Sequence, residues 1–287
     1  MNTTSRRDFL KTTGAVAAAA CVTNRLMAEP LKFPVGLQLY SVRELLPKDF
    51  DGTLRGLSAE GYRVVEAAGY FNKTAAEWKH SMDAAGLRCV STHHALADLK
   101  GKLNELIEYG NAIGLEYMIC SWAGLHRDPA NKSKDLSLDD WRWVADQFNE
   151  IGAKVKAGGM QFGYHNHTIE FAREGGVLYY DELLKRTDPK LVAMEMDCGW
   201  VSAAGFDPVT YLKATPERFP LLHVKDMTKE PGGEWRSVVM GRGVADYHPI
   251  LRAASGLKYY FIEQEEFTGD PMQELREDAD YMKKFTL

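Results

Sequence analysis

Cysteine is scarce here, and its spacing is unhelpful to a cross-linked scaffold. The 287 residues hold four, Cys21, Cys89, Cys120 and Cys198, with no C-x-x-C pair. Buried free thiols are therefore expected; an oxidising compartment would permit a disulfide, but nothing in the spacing demands one. Basic tracts interleaved with aromatics are also missing. The net charge of −5 speaks against a nucleic-acid or anionic-membrane partner. Past the N-terminal segment no run of about 18 apolar residues occurs, so no membrane span is expected. No G-x-G-x-x-G turn follows the first strand-like run, which disfavours a dinucleotide fold, and no Gly-rich phosphate cradle is visible.

What the N-terminus does carry is an address. Ser5-Arg6-Arg7-Asp8-Phe9-Leu10-Lys11 fits the twin-arginine export motif, and an Ala-rich apolar run follows over residues 14–22. Residues 1–28 are expected to be the export signal, cleaved near Ala28, and the mature product periplasmic. Ala18-Ala19-Ala20-Cys21 is also a loose lipobox, so lipid anchoring at Cys21 is the alternative maturation.

From residue 31 to 287 the chain alternates short apolar runs with amphipathic stretches. Strands are predicted at 35–40, 64–68, 87–93, 117–121, 160–165, 191–197, 221–225 and 259–263. Helices are predicted at 48–60, 74–85, 100–113, 138–157, 179–186, 208–214, 247–254 and 271–285, with Gly61, Gly86 and Gly114 as stop signals and Asp207-Pro208 as a start. Strands alternating with helices imply parallel βαβ units. Eight such units suit a single α/β domain closed as a (β/α)8 TIM barrel. The two longest connections, 122–137 and 226–246, both follow strands, which places them at the barrel's C-terminal face as candidate lids.

The later strands end in repeated polar pairs: His165-Asn166-His167, Glu195-Met196-Asp197, His223-Val224-Lys225 and Glu263-Gln264-Glu265. Residues at i and i+2 share a face of a strand, so each pair points one way at the barrel mouth. Any one of these residues has an ordinary structural explanation; four consecutive strands repeating the arrangement do not. Clustered carboxylates repel unless protonated or neutralised by a cation. Mixed imidazole and carboxylate donors suit one divalent ion such as Mn, Co, Zn or Mg.

At these residues the chain resembles the xylose isomerase-like barrels of the sugar phosphate isomerase/epimerase superfamily. The matching stretches are Gly36-Leu37-Gln38-Leu39-Tyr40-Ser41-Val42-Arg43, Gly163-Tyr164-His165-Asn166-His167, Asp197-Cys198-Gly199-Trp200, Leu222-His223-Val224-Lys225-Asp226 and Ile262-Glu263-Gln264-Glu265. The resemblance implies one metal held by groups from strands five to eight. Asp197, His223 and Glu263 match that set. His165 stands where the family usually has Glu, and Trp200 where many members have a second His. The exchange removes one of the two glutamates that move protons in the family's epimerases.

Candidate catalytic groups are therefore His167, Lys225 and Glu263. Candidate substrate contacts are Glu66 and His93 at the ends of strands two and three, Glu170 beyond His167, Glu195, Trp200, and Arg242 in the Gly241-Arg242-Gly243 loop. The implied partner is a small carbohydrate, with homo-oligomerisation left open. The implied reaction is metal-assisted proton transfer next to a sugar carbonyl, of isomerase or epimerase type. Two alternatives stand beside it: β-elimination from a 3-keto-glycoside in the same site, and a non-catalytic periplasmic sugar-binding barrel.

Overall fold

A computed structural model describes residues 31–131, 133 and 135–287. The expected export signal and Cys21 lie outside the described residues. Eight parallel strands close into a barrel in sequential order: β1 Gly36–Gln38, β2 Val64–Ala67, β3 Arg88–Ala95, β4 Tyr117–Trp122, β5 Gln161–His165, β6 Val192–Asp197, β7 Leu221–Val224 and β8 Tyr259–Ile262. The closing pair is β1 with β8, with Gly36 opposite Phe261.

Helices cover the outside: α1 Phe50–Glu60, α2 Ala75–Ala85, α3 Leu96–Ile113, α4 Leu138–Ala157, α5 Tyr179–Arg186, α6 Cys198–Ala203, α7 Pro208–Ala214, α8 Tyr247–Ala253 and α9 Pro271–Lys284. Their ends are written locally. Thr74 and Ser137 open α2 and α4 with reciprocal capping boxes, through Glu77 and Asp140. Gly61, Gly86 and Gly114 close α1, α2 and α3 in the left-handed region.

Strand β1 is shorter than predicted. The Gln38 side-chain oxygen accepts the Tyr40 N–H at 3.0 Å and turns the chain into a 3-10 segment at Leu39–Val42. Helix α3 begins four residues before its predicted start, across a kink at Lys102 where φ is −141°. Helix α6, immediately after β6, carries no apolar period of its own and was not predicted.

The barrel interior is layered. At the N-terminal end Val64, Val90, Ile119, Leu221 and Phe261 form an apolar floor. A Cβ on Gly163 would lie 2.7 Å from Ile119 Cδ1, so this glycine leaves room for the floor. Above it the inward positions turn polar, beginning with Gln38, Glu66, Ser91, Glu195 and His223, all fully buried.

The connection 226–246 is not structureless. Asp226–Lys229 and Trp235–Val238 pair as an antiparallel hairpin. The buried Asp226 carboxylate accepts the N–H groups of Gly241, Gly243 and Ala245 at 2.8–3.1 Å, pinning the rest of the loop. Gly243 must be glycine there, because a Cβ would meet Asp226 Oδ1 at 2.2 Å.

The same loop is tied to α9 by Asp278, whose Oδ1 accepts the Met240 N–H at 2.7 Å while Oδ2 has no hydrogen-bond partner. Burial, reinforced by Glu274 and Glu277, pushes this carboxyl from 3.8 up to about 7. A raised acid favours the folded state below its unfolded value, and that contribution is lost as pH climbs through the folded value. Asp278→Asn keeps an acceptor for Met240 and removes the titration. The fall in melting temperature between pH 5 and pH 8 should be smaller in the variant than in the wild type; equal falls in a buffer series would refute this account.

Candidate active site

Four strand-end motifs converge above the apolar floor. The strand-five motif places His165 inward and buried, while the middle Asn166 ties β5 to β6: its Oδ1 accepts the Asp197 N–H at 3.1 Å. Asp197 in turn caps α6, its Oδ1 accepting the Trp200 N–H at 2.8 Å, and leaves Oδ2 facing the barrel axis region where Lys225 sits. Lys225 is fixed through its backbone, which exchanges hydrogen bonds with the Tyr247 hydroxyl at 2.7 and 2.8 Å.

The side chain of Lys225 is fully buried. Its Nζ lies 3.0 Å from Asp197 Oδ2, 2.7 Å from Glu263 Oε2 and 2.5 Å from Glu265 Oε1, with the Trp200 ring 4.8 Å away. Burial opposes the charge, but Asp197, Glu263 and Glu265 outweigh it and raise the ammonium above its usual range. Lys225 is thus a fixed cation at neutral pH. Burial alone would raise the Glu263 carboxyl; the charges of Lys225 and His223 overcome it and hold it well below the usual range.

His223 is the centre of the arrangement. Its Nδ1 lies 3.1 Å from Glu263 Oε2 and 4.0 Å from Asp197 Oδ2, and its Nε2 lies 2.7 Å from Glu66 Oε1 and 3.3 Å from Glu195 Oε2. One ligand atom from each of His165, Asp197, His223 and Glu263 falls within 4.8 Å of the others, close enough to hold a metal ion. The donor chemistry fits: two imidazoles and two carboxylates, all buried, with Asp197 Oδ2 met by the Lys225 ammonium at 3.0 Å.

A cavity of about 500 Å³ opens over this cluster, lined by His93, His165, His167, Glu263 and Glu265, with Tyr40 and Trp122 at its rim. Those two aromatics are 42% and 51% exposed, among the largest exposed apolar side chains described. His167 stands edge-on to Trp122. Burial and the Lys225 charge lower its imidazole to about 4, so it is neutral near pH 7.

The other predicted contacts lie elsewhere. Glu66 and Glu195 are a layer deeper, with no exposure. Glu66 accepts from Gln38 at 2.7 Å and from Ser91, and both carboxylates contact His93. Glu170 does not reach into the mouth; it is buried behind His167, accepting that residue's N–H at 2.9 Å and the Tyr164 hydroxyl. Arg242 turns away from the cavity to pair with Glu277 on α9, because the Asp226 clamp fixes the glycines on either side of it. Trp200 covers Lys225 rather than lining the cavity. Sequence reasoning missed Gln38, Tyr40, Ser91 and Tyr247; only Gln38 and Tyr40 fell in a motif that drew notice.

Residues 54–285 match the family described as Xylose isomerase-like TIM barrel. The chain belongs to that family. Residues 3–23 match the twin-arginine translocation pathway signal sequence, which directs export across the cytoplasmic membrane. Among the described residues no helix is long and apolar enough to cross a membrane.

This xylose isomerase-like barrel is 21% identical over 231 residues to an inosose dehydratase of Lacticaseibacillus casei, covering 71% of this chain and 77% of that one. To an inosose dehydratase of Geobacillus thermodenitrificans it is 23% identical over 302 residues, covering 96% and 92%. A sugar phosphate isomerase/epimerase structure from Parabacteroides distasonis superposes with a TM-score of 0.74 at 24% identity, covering 91% of this chain and 97% of that one. The 3-keto-D-glucoside 4-epimerase YcjR from E. coli gives 0.67 at 18% identity, covering 88% and 100%. The IOLI protein with a bound zinc atom gives 0.67 at 11%, covering 86% and 95%.

Removing the buried cation should be costly. Lys225→Met leaves Asp197, Glu263 and Glu265 without their shared ammonium, and breaking such a buried set typically costs about 3–5 kcal/mol. The variant should melt well below the wild type at pH 7.5 and gain more than the wild type on addition of a divalent ion. A melting curve unchanged with or without metal would contradict the charge balance described.

Proposed function

We propose that this chain is an exported enzyme that uses one divalent ion to remove a proton beside the carbonyl of a keto-sugar. The observation that carries the proposal is the buried cluster of His165, Asp197, His223 and Glu263 directly beneath a cavity of about 500 Å³ lined by His167. An ion held by those four groups would act as a Lewis acid on the substrate carbonyl. Zinc, manganese, cobalt and magnesium are the candidates, zinc having the precedent of the IOLI structure.

His167 is the base in this proposal. It is neutral near pH 7 and faces the cavity, whereas Lys225 is held as an ammonium and supplies a fixed positive charge to the enolate that develops. The pair of electrons released from the C–H bond then has two outlets. In elimination it forms a C=C bond while the bond to the oxygen on the next carbon breaks, and the His167 imidazolium gives its proton to the departing oxygen. In epimerisation the proton returns to carbon on the other face.

The substitution of His for Glu at position 165 leaves Glu263 without the opposed glutamate that two-sided proton exchange would use, which favours elimination. The dehydratase names of the relatives accord with that outlet, and the YcjR epimerase with the other. Tyr40 and Trp122 at the rim suit a sugar face. We further propose a periplasmic location, with the leader ending near Ala28 or a lipid on Cys21. A barrel that only bound sugar would not need the metal-type donor set.

His167→Ala should keep its metal and lose on the order of a hundred- to ten-thousand-fold in turnover. His223→Ala should lose both. In deuterated water, the enzyme incubated with 3-keto-glycosides should release the aglycone or second sugar. Deuterium exchange without release would move the assignment to epimerisation. Neither outcome across a broad panel, with metal bound, would sink the enzymatic proposal.

Changing Arg6 and Arg7 together to Lys should retain the protein in the cytoplasm. Unaltered fractionation of that variant would rule out twin-arginine export.

A further inference from the structure

The outer cluster is not the only set of metal-type donors in the barrel. One layer deeper, His93, His165, Glu195 and His223 also present one ligand atom each within 4.8 Å of one another. We propose that this inner cage is a second position for a divalent cation, sharing His165 and His223 with the outer one and alternating with it.

Geometry is the first support. A single oxygen, Glu195 Oε2, faces three imidazole nitrogens: His93 Nε2 at 2.6 Å, His165 Nδ1 at 3.1 Å and His223 Nε2 at 3.3 Å. A tetrahedral zinc-type ion with bonds of about 2.0–2.1 Å separates its ligands by roughly 3.3 Å. The His223 edge already has that spacing, the His165 edge needs to open by about 0.2 Å and the His93 edge by about 0.7 Å. Three imidazoles crowded on one carboxylate oxygen exceed its two lone pairs, whereas three imidazoles and a carboxylate around one ion is an ordinary coordination set.

The second support is a buried atom with no partner. Glu195 has no exposure, and its Oε1 accepts no hydrogen bond. Such an oxygen is costly to bury unless a cation or donor meets it.

The third is the two-sided setting of His223. A metal-bound imidazole donates its other N–H to an acceptor that fixes the tautomer. With the ion outside, Nδ1 binds it and Nε2–H donates to Glu66. With the ion inside, Nε2 binds it and Nδ1–H donates to Glu263. Carboxylates wait on both sides, at 2.7 and 3.1 Å. A neutral imidazole offers one acceptor nitrogen at a time, so the two positions exclude each other at this residue and the total stays at one ion.

Charge favours the inner position in the resting enzyme. Lys225 already sits among the outer carboxylates. Among the described residues the ion pairs of Glu66 and Glu195 are all to histidines, and the two negative charges of these carboxylates equal what one divalent ion neutralises once His93 and His223 release their protons to bind it. His93, with its side chain 11% exposed to the mouth cavity, is the way in.

The test uses cobalt(II) added to metal-free mature protein. Anomalous diffraction at the cobalt edge should place an ion among His93, His165, His223 and Glu195. The double variant Asp197→Asn with Glu263→Gln should still bind about one cobalt, with affinity reduced less than about tenfold. Adding His93→Gln to it should abolish binding, since the effect then exceeds the roughly 10–100-fold loss typical of groups that only orient a ligand. Circular dichroism and thermal melting confirm that each variant is folded. Loss of cobalt from the double variant alone, or a peak only between Asp197 and Glu263, overturns the inner position and leaves the proposed function standing. No ion at either place overturns both.

Discussion

Four carboxylates, from Glu66, Glu195, Asp197 and Glu263, project into the interior of one barrel, and none is more than slightly exposed. Unpaired, they would repel one another in a medium that screens poorly, so everything around them is arranged as compensation. Lys225 answers the outer pair, and His93, His165 and His223 answer the inner one. Gln38 and Ser91 donate to Glu66. Such a cluster is held at a cost in stability, because replacing buried ions with well-packed apolar groups is often neutral or favourable. A structural core gains nothing from it. A site that must receive a cation and a polar substrate does.

The scaffold makes that cost bearable by confining it. The apolar floor of Val64, Val90, Ile119, Leu221 and Phe261 closes the barrel below the charges, and continuous packing of helices on strands surrounds it. The polar layers occupy only the C-terminal half, where the loops can still be shaped. Asp226 shows how rigidly that shaping is done: one buried carboxylate gathers N–H groups across some twenty residues of loop. The two ends of the loop after β7 are thereby tied to one carboxylate.

The eight strands were legible because each is a short apolar run followed by a helix with its own start and stop signals. Boundaries moved by one or two residues, and in β1 a side-chain cap on Tyr40 ends the strand two residues early. The outer cluster was legible too, since period-two pairs at strand ends must point together. The inner layer was legible only residue by residue: Glu66, His93 and Glu195 stood out as strand-end candidates, but not their convergence on His223. Glu66 meets His223 across 157 positions, and nothing local distinguishes it from any glutamate that finishes a strand. Nor could sequence say that Glu170 faces into the protein, or that Arg242 faces out, because both depend on where a neighbouring loop is pinned. Direction within a loop is a tertiary property.

The exchange of Glu for His at position 165 gains its meaning only when the two layers are seen together. A glutamate there would add a further negative charge to an interior already holding four carboxylates. An imidazole instead brings a neutral donor that reaches Glu195 from Nδ1 at 3.1 Å. It couples the outer cluster to the inner one where a carboxylate would have been repelled by it. In the proposed mechanism the same exchange takes a proton-transfer group away from the outer donor set and gives that duty to His167, two residues further along and lining the cavity. Under that proposal a base set apart from the outer donors would act on one side of the substrate, with the Lys225 ammonium among the carboxylates of Asp197, Glu263 and Glu265. One-sided proton removal beside a polarised carbonyl is what elimination requires, whereas inversion needs a second group opposite.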